Sequence, residues 1–203
     1  ARVFDENIKI FTRVHNTQAK EKEIIDRWRK MPTPQMGRHL ANQVEPEVVE
    51  ALRNAVVKAY PKISHRYYEL KRKWLGLETM QVWDRNAPLP MESDRLVTWD
   101  QAQTIVTDAY TNFDSRMSDL ITPFFNKGWI DAGVKPGKAP GAFAHPTVTD
   151  VHPYIMLNYL GKPRDVMTLA HELGHGVHQV LASSQGQMLS STPLTLAETA
   201  SVF

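Results

Sequence analysis

The chain has 203 residues, of which 42% are hydrophobic and 23% charged, a composition that excludes a disordered, collagen-like or low-complexity protein. Its 24 basic and 22 acidic residues nearly balance, so neither nucleic acid nor a membrane is expected as a partner. The absence of cysteine excludes a disulfide-stabilised secreted domain and favours a reducing, cytoplasmic location. Any metal site in this chain must therefore be built from His, Asp and Glu.

The amino-terminal part of the chain is predicted to be helical. Residues 1–100 carry 18 basic and 14 acidic side chains, against 6 and 8 in residues 101–203, so solvated helices are expected first and a more buried portion second. Apolar residues recur at helical spacing in three runs, from Phe4 to about Lys30, from Pro46 to about Tyr60 and from Ile63 to Leu75. Gly76 closes the third run.

The middle of the chain combines predicted strands with one long helix. A short strand is predicted from Leu77 to Trp83, and an apolar strand from Tyr154 to Tyr159. Between them, Trp99 to about Gly128 predicts one helix, capped by Thr98 or Asp100. Glycines and prolines interrupt residues 133–146, so that segment is expected to be mostly loop.

A further helix is predicted from Asp165, as its N-cap, to about Ser183. At about 100° per residue, its apolar residues fall in one stripe that should face the core. The stripe contains Val166, Leu169, Leu173, Val177, Val180 and Leu181. Residues 173–197 carry no charge, but their apolar runs fall far short of the ~20 residues that a membrane span needs.

Three histidines share the opposite face of this helix. His171, His175 and His178 are separated by four and three residues, which returns each to nearly the same direction on the helical wheel. Glu172 lies about a quarter turn away. The pattern is HExxH, in which two histidines bind zinc and the glutamate acts as a general base. The alternative is an accidental polar face, but two glycines beside the histidines cost about 1 kcal/mol each in a helix and indicate close packing.

A catalytic zinc usually has three protein ligands, so a third ligand is expected elsewhere in the chain. Asp165 is a poor candidate because it lies six residues before His171. Glu198 is better placed, since it follows a polar loop and a second predicted helix that begins near Pro193. Its alternative is an ordinary solvated helix glutamate. His178 either supports the metal ligands, contacts substrate, or is a simple surface histidine.

These motifs together resemble the oligoendopeptidase F and thimet oligopeptidase family of zinc metallopeptidases. Residues 168–178 match the family's TLxHExGHxxH pattern, and Gly137, Lys138, Gly141 and Ala142 match its GKxxGA segment. The segments WDRNAPLP at 83–90, GWID at 128–131 and PYIMLNY at 153–159 are also similar. The resemblance implies a mainly α, zincin-like helical metallopeptidase domain with a small β-sheet beside the active-site helix.

The resemblance implies one Zn²⁺ per chain on His171, His175 and Glu198, and a zinc-activated water with Glu172 as general base. The implied function is that of a metalloendopeptidase, an oligopeptidase that hydrolyses internal bonds of short peptides. Gly141, Ala142 and Phe143, with His178, are the implied substrate contacts, the segment 141–144 being the strand whose edge binds extended peptide. From the residues alone, a loop with Phe143 in the core is an equal alternative.

The resemblance also implies a partial chain, with residues 1–203 forming part of one catalytic domain. Residues 1–76 would be a helical upper-lobe portion and residues 77–203 the zinc-binding portion with the small sheet. Family members continue beyond the glutamate-bearing helix with groups that stabilise the oxyanion, so this piece is expected to hold the ligands and the base and to be weakly active. Oligomeric state is not predicted.

Two other functions remain as alternatives. The first is a catalytically incomplete fragment or a non-catalytic helical module that binds zinc or a partner. The basic run Lys71–Lys73 supports a partner surface little, because Glu69 and Glu78 lie nearby and a solvated helix end explains it. The second is another gluzincin family, such as an aminopeptidase, against which the segments around Gly141 and Tyr154 weigh.

Overall fold

The computed structural model describes residues 2–90 and 96–201, which form two compact units, Ala1–Ala87 and Pro88–Phe203. The fold is mainly helical with one small sheet, which confirms the predicted fold class. The assignment of residues 1–76 and 77–203 to two portions of a peptidase domain stays a prediction. Within the described ranges, none of the helices combines the length and apolarity required to cross a bilayer.

The first unit consists of helices. They are α1 (Arg2–Glu6), α2 (Ile8–Trp28), α3 (Met36–Ala41), α4 (Pro46–Ala59) and α5 (Ser64–Trp74), followed by a 3₁₀ turn at Val82–Asn86. The helices predicted near residues 46–60 and 63–75 are confirmed as α4 and α5. Gly76, with φ of +66°, ends the run as expected because glycine adopts this left-handed conformation at low cost.

The single helix predicted from Phe4 to Lys30 is wrong in one place, because the chain breaks at Asn7 between α1 and α2. The Asn7 side chain donates to the Val3 carbonyl at 2.9 Å, and its backbone N–H to the Phe4 carbonyl at 3.1 Å. Such local side-chain hydrogen bonds compete with continuous helix. The helix α3 was not predicted.

Two further expectations for this unit are wrong. Residues 77–83 form no strand; instead the Asp84 carboxylate accepts from the Gln81 N–H at 2.8 Å and closes the 3₁₀ turn. Lys71 is not part of a solvated helix end, since it is 4% exposed and its Nζ donates to the Arg85 carbonyl at 2.9 Å. Arg72 does pair with Glu69, at 2.8 Å.

The second unit places a small sheet against helices. Its elements are α6 (Trp99–Phe113), α7 (Ser115–Asn126), β1 (Ile130–Asp131), β2 (Phe143–His145), β3 (Tyr154–Met156), α8 (Pro163–Ser183), α9 (Leu194–Ala197) and a 3₁₀ turn at Thr199–Ser201. The sheet order is β1-β3-β2, with β1 parallel and β2 antiparallel to β3. The predicted strand near residues 154–159 is confirmed in its first half, and beyond it Leu157 and Tyr159 still donate to the carbonyls of Asp131 and Ala132.

The helix predicted from Trp99 to Gly128 is instead two helices, α6 and α7. Thr98 caps α6 as one of the two expected residues, its hydroxyl accepting from the Gln101 N–H at 3.3 Å. Asp114 interrupts the run with extended backbone angles (φ −157°, ψ 121°) and caps α7, its carboxylate accepting from the Arg116 N–H at 2.9 Å. An aspartate favours this position because its side chain satisfies a free N–H of the new helix.

The core of the second unit gathers around the back of α8. Leu169, Leu173 and Val177 are at most 3% exposed, and Val166 and Val180 pack against them. Leu181 was assigned to the same stripe, but it is 56% exposed, because it lies at the margin of the stripe near the end of the helix. The buried partners from other elements are Ala102, Val106, Tyr110, Ile121, Phe124, Ile155 and Leu157.

The predicted N-cap of α8 is also corrected. Lys162 is the N-cap and Pro163 the first helical residue, so Asp165 lies inside the first turn. Its carboxylate accepts from the N–H groups of Leu160 and Lys162, at 2.9 and 3.0 Å. The aspartate therefore still satisfies backbone groups at the helix start, from three residues further along.

Candidate metal centre

The first two ligand candidates lie one turn apart on α8. The rings of His171 and His175 are 4.7 Å apart between centroids and nearly perpendicular, at 85°. Because Leu169, Leu173 and Val177 anchor the opposite side of the helix in the core, the two rings are held on its other face. Both rings are partly buried.

The third candidate, Glu198, follows the single turn of α9. Its Oε2 lies 3.5 Å from Nε2 of His171 and 3.7 Å from Nε2 of His175. One ligand atom from each of the three residues falls within 4.8 Å of the others, so the described part of the chain contains a group that could hold a metal ion. Two imidazoles and a carboxylate, with room for water, are the donor set of a catalytic zinc.

The segment that carries Glu198 also orients both rings. His171 Nδ1 lies 3.2 Å from the Ser201 carbonyl oxygen. The Ser201 hydroxyl lies 3.3 Å from His175 Nε2. A carbonyl beside Nδ1 favours the tautomer with its proton there, which leaves Nε2 of His171 free to bind a metal. Ser201 was not foreseen, because nothing in its local sequence marks it.

The electrostatic surroundings of His175 favour the neutral form of its imidazole. Burial lowers the pKa of His175, with a smaller lowering from His171 and His178, against the opposing effect of Glu198. Metal ligation requires the neutral ring, so the direction of this shift suits the site.

Glu172 lies on the buried side of the same helix, at 6% exposure, and contributes to the wall of a cleft of about 990 Å³. Burial raises its pKa, with a smaller raising effect of Glu198 and an opposing one of His171. A carboxylate that is a stronger base than usual, adjacent in sequence to His171 and facing a cleft, is suited to accept a proton. The rest of the cleft wall is largely apolar, with Ala109, Tyr110, Phe113, Leu157, Met167 and Ala170 among its residues.

The predicted substrate contacts divide into two groups. Gly141 and Ala142 line the same cleft as His171 and Glu172. Phe143 begins β2 at the sheet edge and is 50% exposed, so it is not the core residue of the alternative interpretation. His178 is partly buried and lies outside the group of three ligand atoms. The roles of all four residues in substrate binding stay predictions.

Comparison with known proteins places this geometry in a family context. The model of peptidase family M3 matches residues 34–203. Group B oligopeptidase PepB of Streptococcus agalactiae is 31% identical over 162 residues, which cover 79% of this chain and 26% of that protein. Oligopeptidase PepF of Bacillus subtilis is 25% identical over 182 residues, covering 86% of this chain and 27% of that protein.

The chain thus spans about a quarter of the length of these curated relatives. Among solved structures, PZ peptidase A with a bound inhibitor superimposes with a TM-score of 0.76 at 19% identity, covering 98% of this chain and 36% of that one. At this level of identity the superposition shows a shared fold.

Proposed function

We propose that this chain carries the zinc-binding and proton-transferring groups of a metalloendopeptidase that cleaves short peptides. The chain belongs to peptidase family M3, whose model matches residues 34–203. The observation that carries the proposal is the convergence of His171, His175 and Glu198, from two separate segments, within 4.8 Å of one another. The family, the peptidase names of the relatives and Glu172 beside the group support it.

In this proposal His171, His175 and Glu198 would hold one zinc ion, through the Nε2 atoms of the two rings and the carboxylate of Glu198. Zinc, when bound, supplies a Lewis acid that acidifies water and polarises a peptide carbonyl. The carbonyl and the hydroxyl of Ser201 contact the two imidazole rings and so help to fix the orientation of their nitrogen lone pairs. Residues 198 and 201 belong to one short segment, so ligand and orienting groups move together.

Glu172 is the proposed general base. Its carboxylate takes a proton from the attacking water and returns it to the leaving amine, a role that typically contributes 10² to 10⁴ in rate. The apolar cleft wall around it reduces the dielectric in which this transfer occurs, and the cleft admits an extended peptide along Gly141 and Ala142. Short peptides are the proposed partners, and a reducing, cytoplasmic compartment is the proposed location.

The test compares Glu172→Gln with the parent chain on a fluorescence-quenched peptide blocked at both ends. Both proteins should retain zinc, and hydrolysis should fall by about 10²-fold or more in the variant. Glu47→Gln, an exposed glutamate of α4, is the matched control and should hydrolyse at the parent rate. Cleavage of the blocked peptide also excludes an aminopeptidase.

Two results contradict the catalytic assignment. The first is a Glu172→Gln variant that hydrolyses the peptide as fast as the parent. The second is a zinc-loaded parent that does not hydrolyse the peptide, which favours the alternative of a catalytically incomplete fragment or a non-catalytic zinc-binding module.

A further inference from the structure

Lys138 is a buried amine that joins the ends of two strands. Its side chain is 8% exposed, and its Nζ donates to the carbonyls of Asp131, Gly133 and Leu157 at 2.9, 2.8 and 2.8 Å. Asp131 ends β1 and Leu157 follows β3. An ammonium group has three N–H donors, so these three carbonyls match its full capacity. The Asp131 carboxylate, 3.2 Å away, balances the charge.

Asn158 fastens the next part of the same loop. Its Nδ2 donates to the carbonyls of Ala139 and Gly141 at 2.9 and 3.1 Å, which uses both amide hydrogens. Lys138 and Asn158 therefore hold five backbone carbonyls between them. Both Asn158 and Gly141 line the cleft that contains His171 and Glu172. The loop is thus fixed to the end of β3 just before it enters β2.

The loop determines where the outer edge of β2 lies. The Ile155 N–H donates to the Trp129 carbonyl and therefore points toward β1. Ala144 lies opposite Ile155 in the antiparallel pair, so these two residues do not bond to each other. Ala144 therefore directs its own N–H and carbonyl away from β3. The hydrogen bond from Gln179 to the Ala144 carbonyl, at 3.2 Å, agrees with this direction. Two residues earlier, Ala142 lies just before β2 and lines the cleft that contains His171 and Glu172.

We propose that Lys138 and Asn158 are positioning residues that fix the distance between the Gly141–Ala144 edge and α8. At this distance an extended peptide can bond to the edge and also reach the metal. The inference rests on the proposed function. It goes further because it assigns peptide alignment to two side chains that touch neither the metal ligands nor the peptide's reactive bond. Their removal should loosen the edge and leave His171, His175 and Glu198 in place.

The test measures two hydroxamates on zinc-loaded protein. Acetohydroxamate contacts only the metal, whereas the hydroxamate of an acetylated tetrapeptide must also lie along the strand. In Lys138→Met, which keeps the stem and removes three donors, the dissociation constant of the peptide hydroxamate should rise about tenfold or more relative to that of acetohydroxamate. Asn158→Asp, which loses both N–H donors, should shift the same ratio in the same direction.

Lys135→Met is the matched control. Lys135 lies in the same loop and pairs with Asp131 at 3.5 Å, but it is 67% exposed, so its variant should keep the parent ratio. An unchanged ratio in Lys138→Met, or equal weakening of both hydroxamates, overturns the proposal.

A parent chain that binds no zinc overturns the proposed function instead. In that case, hydrogen exchange at Phe143 and His145, which alternate with Ala144 and so direct their N–H groups toward β3, still tests the two positioning residues. Exchange should be about tenfold faster in Lys138→Met than in Lys135→Met, and equal protection in the two variants refutes the proposal.

Discussion

Replacing Gly176 by alanine would place a methyl group into the packed contact between α8, α7 and β3. The added Cβ would lie 2.8 Å from Cζ and 2.9 Å from Cε1 of Phe124, and 3.4 Å from Cδ1 of Ile155. Ordinary van der Waals contact begins near 3.4 Å, so the Phe124 ring must move by about 0.6 Å. Phe124 is 0% and Ile155 1% exposed, so the added methyl group would meet two buried side chains.

Two opposing effects determine how much Gly176→Ala changes the free energy of unfolding. Alanine in the helix interior gains about 1 kcal/mol over glycine. Overpacking a closed core typically costs about 1–3 kcal/mol. Because the shortest contacts are to a buried ring and not to a flexible chain end, the upper half of that range applies, and Gly176→Ala should lose about 1–2 kcal/mol in the free energy of unfolding.

The assay is urea denaturation followed by circular dichroism. Gly37→Ala in α3 is the control, since nothing lies within 4 Å of its added Cβ, and it should be neutral or stabilising. Phe124→Leu should reduce the effect of Gly176→Ala, because the two sites touch. A Gly176→Ala protein as stable as the parent, or one whose loss Phe124→Leu leaves unchanged, would refute the packing argument.

Two more predictions concern the ends and the back of α8. Asp165→Ala removes the acceptor for two N–H groups and should cost about 1–2 kcal/mol in urea denaturation with zinc content unchanged; full stability would show that water replaces the carboxylate. Tyr110→Phe removes the 2.7 Å hydrogen bond to the Ala170 carbonyl and should cost about 1–2 kcal/mol near neutral pH. Burial raises the pKa of Tyr110 to about 12 from its ordinary 10.0, so ionisation of this phenol lowers the stability of the folded parent as pH rises from 10 to 12, and Tyr110→Phe lacks this contribution. The difference between the two proteins should therefore narrow over that range; a constant difference contradicts this.

Local periodicity explains how much of the centre could be predicted. A spacing of four residues places His171 and His175 on one helix face whatever the rest of the chain does. The cost of glycine in a helix correctly indicated close packing, which the structure shows at Gly176 against Phe124. The approach of Glu198 to the two histidines was expected because a polar loop and a second short helix follow α8 and can bring the chain back to it.

Breaks in the elements were less accessible. Asn7 and Asp114 each interrupt a continuous apolar pattern through one side-chain hydrogen bond to nearby backbone. The pattern of apolar residues carries no trace of such a bond, so both helices were predicted as continuous. For residues 77–83 the predicted strand is absent. Val82 and Trp83 are residue types common in strands, but here they are 84% and 78% exposed and belong to a 3₁₀ turn.

Long-range polar contacts were the least predictable feature. Lys138 was noticed only as a motif residue, and its bond to the Leu157 carbonyl spans 19 positions. Ser201 reaches His171 across 30 positions. Contacts to backbone carbonyls place no demand on the identity of the partner residue, and so they leave no complementary signal in the sequence.

The most direct test of the metal centre is the zinc content of the purified chain after dialysis, measured by mass spectrometry. We expect about one zinc per chain in the parent and in Glu172→Gln, and clearly less in Glu198→Ala, because the carboxylate of Glu198 supplies the third ligand. Equal zinc in the parent and in Glu198→Ala, or a parent that holds none, would contradict the proposed site.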